Sequence, residues 1–310
     1  MRIVIVGGSG QIGRLLTSYW RNQGHSIQIM GRSTSKLATI SWDAVQLGPW
    51  VEQLEASDVL INLTGKSVNC RYTAANRREL WHSRIETTRL LGQAIQQLSK
   101  PPRLWLQASG SAIYAHSSEP QTEAQHTIGG NERHASARWQ FNVDLVKAWE
   151  NEAIAAKTPQ TRKIMLRTSM MMSDDRGGVF EMLCRLARCG LGGTIGNGQQ
   201  YVAWIHSRDL VHAIAWLIEQ PELEGPINLS APQPLPNQQF MRHLRQALGI
   251  RFGVSIPSPL MQIGAWMLRT EAELVLKSRN VMPQRLLEHG FCFEYPSWPE
   301  ALANLVKSPI

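Results

Sequence analysis

The chain is predicted to be an α/β protein built on a doubly wound parallel sheet. Continuous apolar runs alternate with segments of helical period, and the first run, residues 3–6, leads through a glycine-rich turn into a helix. Runs that are apolar at every position are typical of strands that helices cover on both faces. These observations predict a Rossmann-type sheet with a smaller C-terminal substrate lobe.

The elements follow in order along the chain. Strands are predicted at 3–6, 27–30, 59–63, 104–108 and 164–167, and helices are predicted to begin near Gln11 and to lie within 74–98 and 136–156. After Thr168 the pattern changes. The stretch with Gly177-Gly178 and then residues 190–198 is rich in glycine, shows neither period and is predicted to be loop. A helix at 207–219 and a short strand at 227–229 are expected next.

Two units are predicted from this order. Residues 1–225 are expected to form the Rossmann domain, with 168–205 contributing to the substrate lobe, and residues 226–310 a mostly helical C-terminal lobe. From about Phe240 this lobe is predicted to consist of helices separated by Pro257, Pro259, Pro283 and Pro296.

Composition narrows the function classes. The net charge of +8 is dispersed, with no basic run longer than Arg77-Arg78, which favours a phosphate-bearing small molecule over nucleic acid as the partner. The first apolar stretch is too short for a signal segment or a membrane span. Four cysteines without regular spacing predict a reducing, cytoplasmic location, and no His/Cys spacing predicts a metal site.

The glycine turn after the first strand predicts a dinucleotide site. Gly7 permits a tight turn, Gly10 lets the backbone approach a pyrophosphate, and Gly13 lets the helix pack against the strand. The amides and dipole at the helix start favour the negative charge.

The end of the second strand favours NADP(H). An NAD site usually offers an acid there, but residues 29–36 contain no carboxylate, and Arg32 can pair with a 2′-phosphate. The alternative is that Arg32 is a solvated loop side chain.

Several motifs together resemble a known family. They are the glycine turn 7–13, Asn62-Leu63-Thr64-Gly65, the stretches 83–88, 192–200 and 204–210, and the C-terminal stretch 282–293. With these motifs the chain resembles the extended short-chain dehydrogenase/reductase superfamily, and within it the atypical epimerase-family group that carries a C-terminal domain of unknown function.

The resemblance implies an NADP(H) pocket. Its expected residues are Gly7, Gly10, Gln11, Ile12, Gly13, Gly31, Arg32, Leu63, Thr64, Glu79, Arg84 and Arg167. Taken without the family, Glu79 and Arg84 are equally explained as surface or helix-capping contacts.

The superfamily's usual catalytic pair is missing. Most members use Tyr-x-x-x-Lys, in which the lysine lowers the tyrosine pKa, but none of the five tyrosines here has a lysine four residues later. Lys147 lies on the expected helix, and Val143 stands four residues before it. The predicted proton relay is therefore Tyr114 with Ser109 and Ser111; the alternatives are a packed tyrosine and serines that cap the turn.

Two functions remain open. The first is an NADP(H)-dependent oxidoreductase or epimerase-like enzyme acting on an unidentified small molecule. The second is an NADP(H)-binding sensor or division-associated interaction protein without turnover. Near the second lobe, Asp209 is expected to bind amides in the first turn of its own helix, and His206 to face the substrate cleft.

Overall fold

The computed structural model describes residues 1–32, 38–132, 135–257 and 276–306. Its strands, in chain order, are β1 (Arg2–Val6), β2 (Ser26–Gly31), β3 (Ile40–Ser41), β4 (Val59–Asn62), β5 (Leu104–Gly110), β6 (Ser117–Gln121), β7 (Arg162–Thr168), β8 (Met170–Met172), β9 (Tyr201–Val202), β10 (Trp204–His206), β11 (Gly225–Leu229), β12 (Leu235–Pro236) and β13 (Arg279–Val281). Its helices are α1 (Gln11–Asn22), α2 (Ala74–Gln97), α3 (Ala137–Ala155), α4 (Val179–Leu186), α5 (Ser207–Ile218) and α6 (Asn237–Ala247), followed by Gln284–Glu288 and Trp298–Leu305.

Seven strands form one parallel sheet in the order β11-β7-β5-β4-β1-β2-β3. The chain builds outward in one direction from β1 through β2 to β3, and in the other through β4, β5, β7 and β11. The reversal lies between β1 and β4, and a crevice at such a point, outside the carboxyl ends of the strands, is where open α/β sheets bind ligands.

Helices cover both faces of this sheet. Ile3 and Ile5 pack on the side of α1 and α5, whereas Val4 and Val6 pack on the other side, with α2 and α3. Because neighbouring residues of a strand point to opposite faces, a strand buried on both sides must be apolar throughout. The predicted Rossmann-type fold is confirmed.

The helices flanking the site begin where the sequence places them. Thr73 caps α2 by accepting a hydrogen bond from the Asn76 amide at 3.2 Å. Ser136 caps α3 in the same way, with the Trp139 amide 3.3 Å away. Such caps satisfy amides that have no partner inside the helix. The strand predicted at 59–63 ends at Asn62, and that predicted at 104–108 continues to Gly110.

The region predicted to be loop, Gly177-Gly178 followed by residues 190–198, contains a helix that was not predicted. The helix α4 forms between Gly178, its N-cap, and the turn at Gly190, and β8, β9 and β10 lie on either side. A helix of about two turns between glycines is too short for its period to be recognised against the surrounding sequence. The strand β11 joins the main sheet beside β7.

A second apolar core joins this segment to the C-terminal helices. Phe180 and Trp204 pack with Phe240 and Trp298, and the rings of the last two stack at 4.2 Å. The C-terminal part also returns to the first unit, because β13 pairs in parallel with β6. Within the described ranges, no helix is long and apolar enough to span a membrane.

Candidate functional site

The glycine turn lies against the end of β4. Gly7 has a φ of 75°, and its amide donates a hydrogen bond to the Met30 carbonyl at 2.9 Å. A Cβ at Gly7 would meet the backbone of Leu63 and Thr64 at 3.0 Å. Both the left-handed backbone and this close approach require glycine.

Gly10 and Gly13 have opposite surroundings. A Cβ at Gly13 would lie 2.4 Å from Gly8, so only glycine lets α1 pack on the turn. Among the described residues, a Cβ at Gly10 would have only the Gly7 carbonyl oxygen near it, at 3.7 Å, apart from its chain neighbours. No described side chain caps α1, and its first turn carries no acid. These open amides fit the pyrophosphate of a dinucleotide.

Two other predicted residues of this turn have distinct neighbours. Ile12 packs against the core of the α1 side of the sheet. Gln11 donates from Nε2 to Asp175 Oδ2 at 3.2 Å, and Asp175 belongs to the segment between β8 and α4. The helix start is thus tied to the chain that builds the second core.

The loop after β4 is held by a buried amide. Thr64 donates to Asn62 Oδ1 from its hydroxyl at 2.6 Å and from its amide at 3.1 Å, while the Leu63 amide donates to the Val6 carbonyl. Asn62 is fully buried and donates in turn to Thr88 and Gln107. This network fixes Leu63 and Thr64 beside the glycine turn.

Charged groups gather at the end of β2. Gly31 ends that strand, and Arg32 follows it with an exposed side chain. Glu79 of α2 pairs with Lys66, whose hydrogen bond and charge lower the pKa of the Glu79 carboxyl, and the Arg32 charge adds to that effect. Lys66, which the sequence did not single out, also donates to Asn76 Oδ1 at 2.8 Å.

The buried side chain of Arg84 binds the backbone of the loop after β4. Its side chain, on α2, donates to the backbone carbonyls of Lys66 at 2.9 Å and Leu80 at 3.2 Å. The guanidinium lies 4.9 Å from the centre of the Trp149 ring. Burial lowers the pKa of Arg84 to about 10. Its predicted contact with a cofactor, like that of Glu79, stays a prediction.

Arg167 lies in a buried network rather than at the glycine turn. It forms a bidentate ion pair with Glu150 of α3, and Ser109 donates to the same carboxylate at 2.5 Å. Burial acts to lower the pKa of Arg167, but the bonds and charge of Glu150 raise it overall. Ser109 and Asn228 flank Arg167 on the neighbouring strands, at matching positions of β5 and β11.

Tyr114 completes this network. Its side chain is 0% exposed; its hydroxyl donates to Asn228 Oδ1 at 2.6 Å and accepts from Arg167 Nη1 at 2.9 Å. Burial raises the pKa of the Tyr114 phenol. Ser111 is also buried, and its carbonyl accepts from the Tyr114 amide. The structure thus brings Tyr114 and Ser109 together, and a catalytic role for either stays a prediction.

Two expectations about the second lobe need correction. Asp209 does not bind its own helix; it accepts from the amides of Glu294 at 2.7 Å and Tyr295 at 3.0 Å, anchoring the C-terminal segment. His206 is buried rather than open to a cleft. It caps α5 by accepting from the Arg208 amide at 3.1 Å, and its ring centre lies 4.0 Å from that of Tyr295. The contacts of Asp209 and His206 with the segment at Tyr295 could not be predicted from the sequence, because that segment lies far along the chain.

The fold and the site together define a Rossmann-type protein of the short-chain dehydrogenase/reductase class. The sequence pattern of the NAD dependent epimerase/dehydratase family matches residues 3–229, and that of a domain of unknown function, DUF1731, matches residues 256–305. The chain belongs to the NAD dependent epimerase/dehydratase family.

Individual relatives match along the whole chain. The human epimerase family protein SDR39U1 is 31% identical over 311 residues, covering 99% of this chain and 100% of its own. The epimerase family protein YfhF of Bacillus subtilis is 27% identical, covering 99% and 98%.

Solved structures agree with the fold. The crystal structure of human SDR39U1 isoform 2 with NADPH is 29% identical, covers 100% of both chains and superimposes with a TM-score of 0.87. A nucleoside-diphosphate sugar epimerase from Corynebacterium glutamicum, at 24% identity and a TM-score of 0.77, covers 99% of this chain and 58% of its own, and shows the fold alone.

Proposed function

We propose that this chain binds NADP(H) with its pyrophosphate on the glycine turn. The observation that carries the proposal is the open backbone at Gly10, next to the uncapped start of α1. Arg32 follows β2, where residues 29–36 offer no carboxylate to an NAD ribose, so the extra phosphate of NADP(H) suits this end of the sheet. The human relative crystallised with NADPH supports the same choice.

The activity we propose is that of an oxidoreductase or epimerase-like enzyme with an atypical site. The substrate is expected between the carboxyl edge of the sheet and the second lobe. The bond from Gln11 to Asp175 supports this arrangement because it brings the second lobe's chain to the cofactor turn. A cytoplasmic location fits the four cysteines, none of which forms a disulfide.

A panel assay tests the activity. The purified protein is mixed with NADPH and, one at a time, with aldehydes, ketones, quinones and nucleotide sugars, and NADPH absorbance is followed. Epimerisation of the nucleotide sugars is followed separately by chromatography with NADP⁺ present. Turnover of one class that is lost in Gly10→Val supports an enzyme. No turnover across the panel, with NADPH bound, contradicts it.

Two observations favour a second candidate, an NADP(H)-binding sensor without turnover. Tyr114 is fully buried and bonded on both sides, and no tyrosine of the chain is followed by the usual lysine. Tight NADPH binding combined with an inactive panel is the result that this candidate predicts.

A further inference from the structure

Three apolar side chains of the second lobe are exposed next to one another. Leu191 is 40% exposed, Phe252 is 85% exposed and Val254 is 66% exposed. The Val254 amide donates to the Gly190 carbonyl at 2.8 Å, so the loop that carries Phe252 lies directly beside Leu191. Single apolar side chains are ordinary on a protein surface, but neighbouring ones rimmed by polar residues mark an interaction site. Leu191, Phe252 and Val254 together form the Phe252 patch.

The backbone under the Phe252 patch is closely packed. A Cβ on Gly193 would lie 2.3 Å from the Val254 carbonyl oxygen, and a Cβ on Gly253 would lie 2.7 Å from the carbonyl carbon of Gly192. Glycine permits these contacts because no side chain separates the two loops. The exposed side chains are therefore presented by a pair of loops that support each other, rather than by a free chain end.

The two segments that form the Phe252 patch are basic. Residues 182–200 and 237–257 together contain neither aspartate nor glutamate, but they contain five arginines: Arg185, Arg188, Arg242, Arg245 and Arg251. Glu181, directly before the first segment, pairs with Arg185 at 2.5 Å. Within the two segments no carboxylate offsets the charge of the other four arginines.

Three of these arginines lie beside the patch. Arg245 donates at 2.5 Å to a backbone carbonyl of the loop that carries Leu191. Arg251 is exposed and directly precedes Phe252, and Arg188, also exposed, lies in the helical turn that ends at Leu191. An apolar cluster rimmed by cations complements the interface of an anionic membrane, because acyl chains accept the apolar side chains and headgroup phosphates accept the charges.

We propose that the Phe252 patch inserts into the interface of membranes that contain anionic phospholipids, with Arg188 and Arg251 at the headgroup phosphates. The size of the patch favours a membrane over a protein partner. A stable protein–protein interface covers about 800 Å² on each partner, and three side chains supply only a fraction of that area. A few inserted side chains next to cations are enough for a reversible membrane contact, which needs no spanning helix.

Flotation of the whole protein with lipid vesicles tests the proposal. The wild type is expected to bind mixed vesicles of phosphatidylcholine and phosphatidylglycerol, to bind phosphatidylcholine vesicles much more weakly, and to dissociate as the salt concentration rises. Phe252→Ser and Val254→Ser, which leave the net charge unchanged, should each weaken binding about tenfold or more. Arg251→Gln should weaken binding about fivefold.

Val45→Ser is the matched control, because Val45 is a similarly exposed valine in the loop after β3 of the main sheet and should bind vesicles like the wild type. Vesicle binding that Phe252→Ser and Val254→Ser leave unchanged would be adsorption through net charge alone, and it overturns the proposal. Absence of binding to the mixed vesicles overturns it as well. A dimer seen by light scattering that Phe252→Ser dissociates, without vesicle binding, assigns the patch to a second copy of the chain instead. Thermal melting checks that each variant is folded.

Discussion

Arg167 of β7 and Glu150 of α3 form a buried ion pair through two hydrogen bonds, each 2.8 Å long. Both side chains are 6% exposed, and Ser109 donates to the same carboxylate. A buried pair of this kind adds little net stability, because the cost of removing both charges from water offsets their attraction. Removing one partner alone is costly, because the other charge is left buried without compensation. The pair therefore anchors β5, β7 and α3 to one another below the carboxyl edge.

Removing one partner is the direct test of that anchoring. Arg167→Met should lower the free energy of unfolding by about 3–5 kcal/mol, since Glu150 is left buried and unpaired. The double variant Arg167→Met/Glu150→Gln should recover part of the loss. Urea denaturation measures the free energy of unfolding of each variant. A loss of less than about 1 kcal/mol in the single variant would contradict the account.

Tyr114→Phe tests the hydroxyl at the other end of the network. The substitution leaves Asn228 Oδ1 and Arg167 Nη1 without their shared partner, so stability should fall by about 1–3 kcal/mol. The same variant examines the proton relay predicted through Tyr114. An unchanged turnover rate would remove Tyr114 from the mechanism, whereas a rate lowered ~10²–10⁴-fold would support the predicted relay.

The sequence predicts the elements nearest the glycine turn well and the long-range polar contacts poorly. Helix α1 begins at Gln11, and α2 and α3 begin directly after Thr73 and Ser136, because strand period, glycine turn and caps are local signals. The contact between Tyr72 and Asn142 joins residues 70 positions apart and has no local signature. For the same reason the sequence predicted that Asp209 binds amides of its own helix rather than those of Glu294 and Tyr295.

His206 predicts a dependence of stability on pH. Burial lowers the pKa of His206 to about 4, below the usual value of 6.5. Between these two values His206 is protonated in the unfolded chain and neutral in the folded chain. The contribution of His206 to the free energy of unfolding should be constant above pH 6.5. It should fall by up to about 3 kcal/mol as the pH decreases from 6.5 to 4. His206→Gln should flatten that part of the profile. Identical slopes for variant and wild type would refute the assignment.

The glycine turn offers a matched pair of variants. Gly10→Val should abolish NADPH binding while leaving the melting temperature near wild type, because its Cβ enters open space that the pyrophosphate needs. Gly13→Val should instead lower stability, by about 1–3 kcal/mol or more, because its Cβ would lie 2.4 Å from Gly8. Calorimetric titration and thermal melting separate the two effects. Normal NADPH binding by Gly10→Val would show that the pocket lies elsewhere.

The affinity of the wild type and Arg32→Ala for NADPH and NADH tests the central claim most directly. A charge-assisted contact between Arg32 and the 2′-phosphate should make NADPH bind ~10- to 100-fold more tightly than NADH. Fluorescence titration should show this preference in the wild type and its loss in Arg32→Ala, with NADH affinity unchanged. Equal affinity of the wild type for the two dinucleotides, or a preference that survives in Arg32→Ala, would contradict the account.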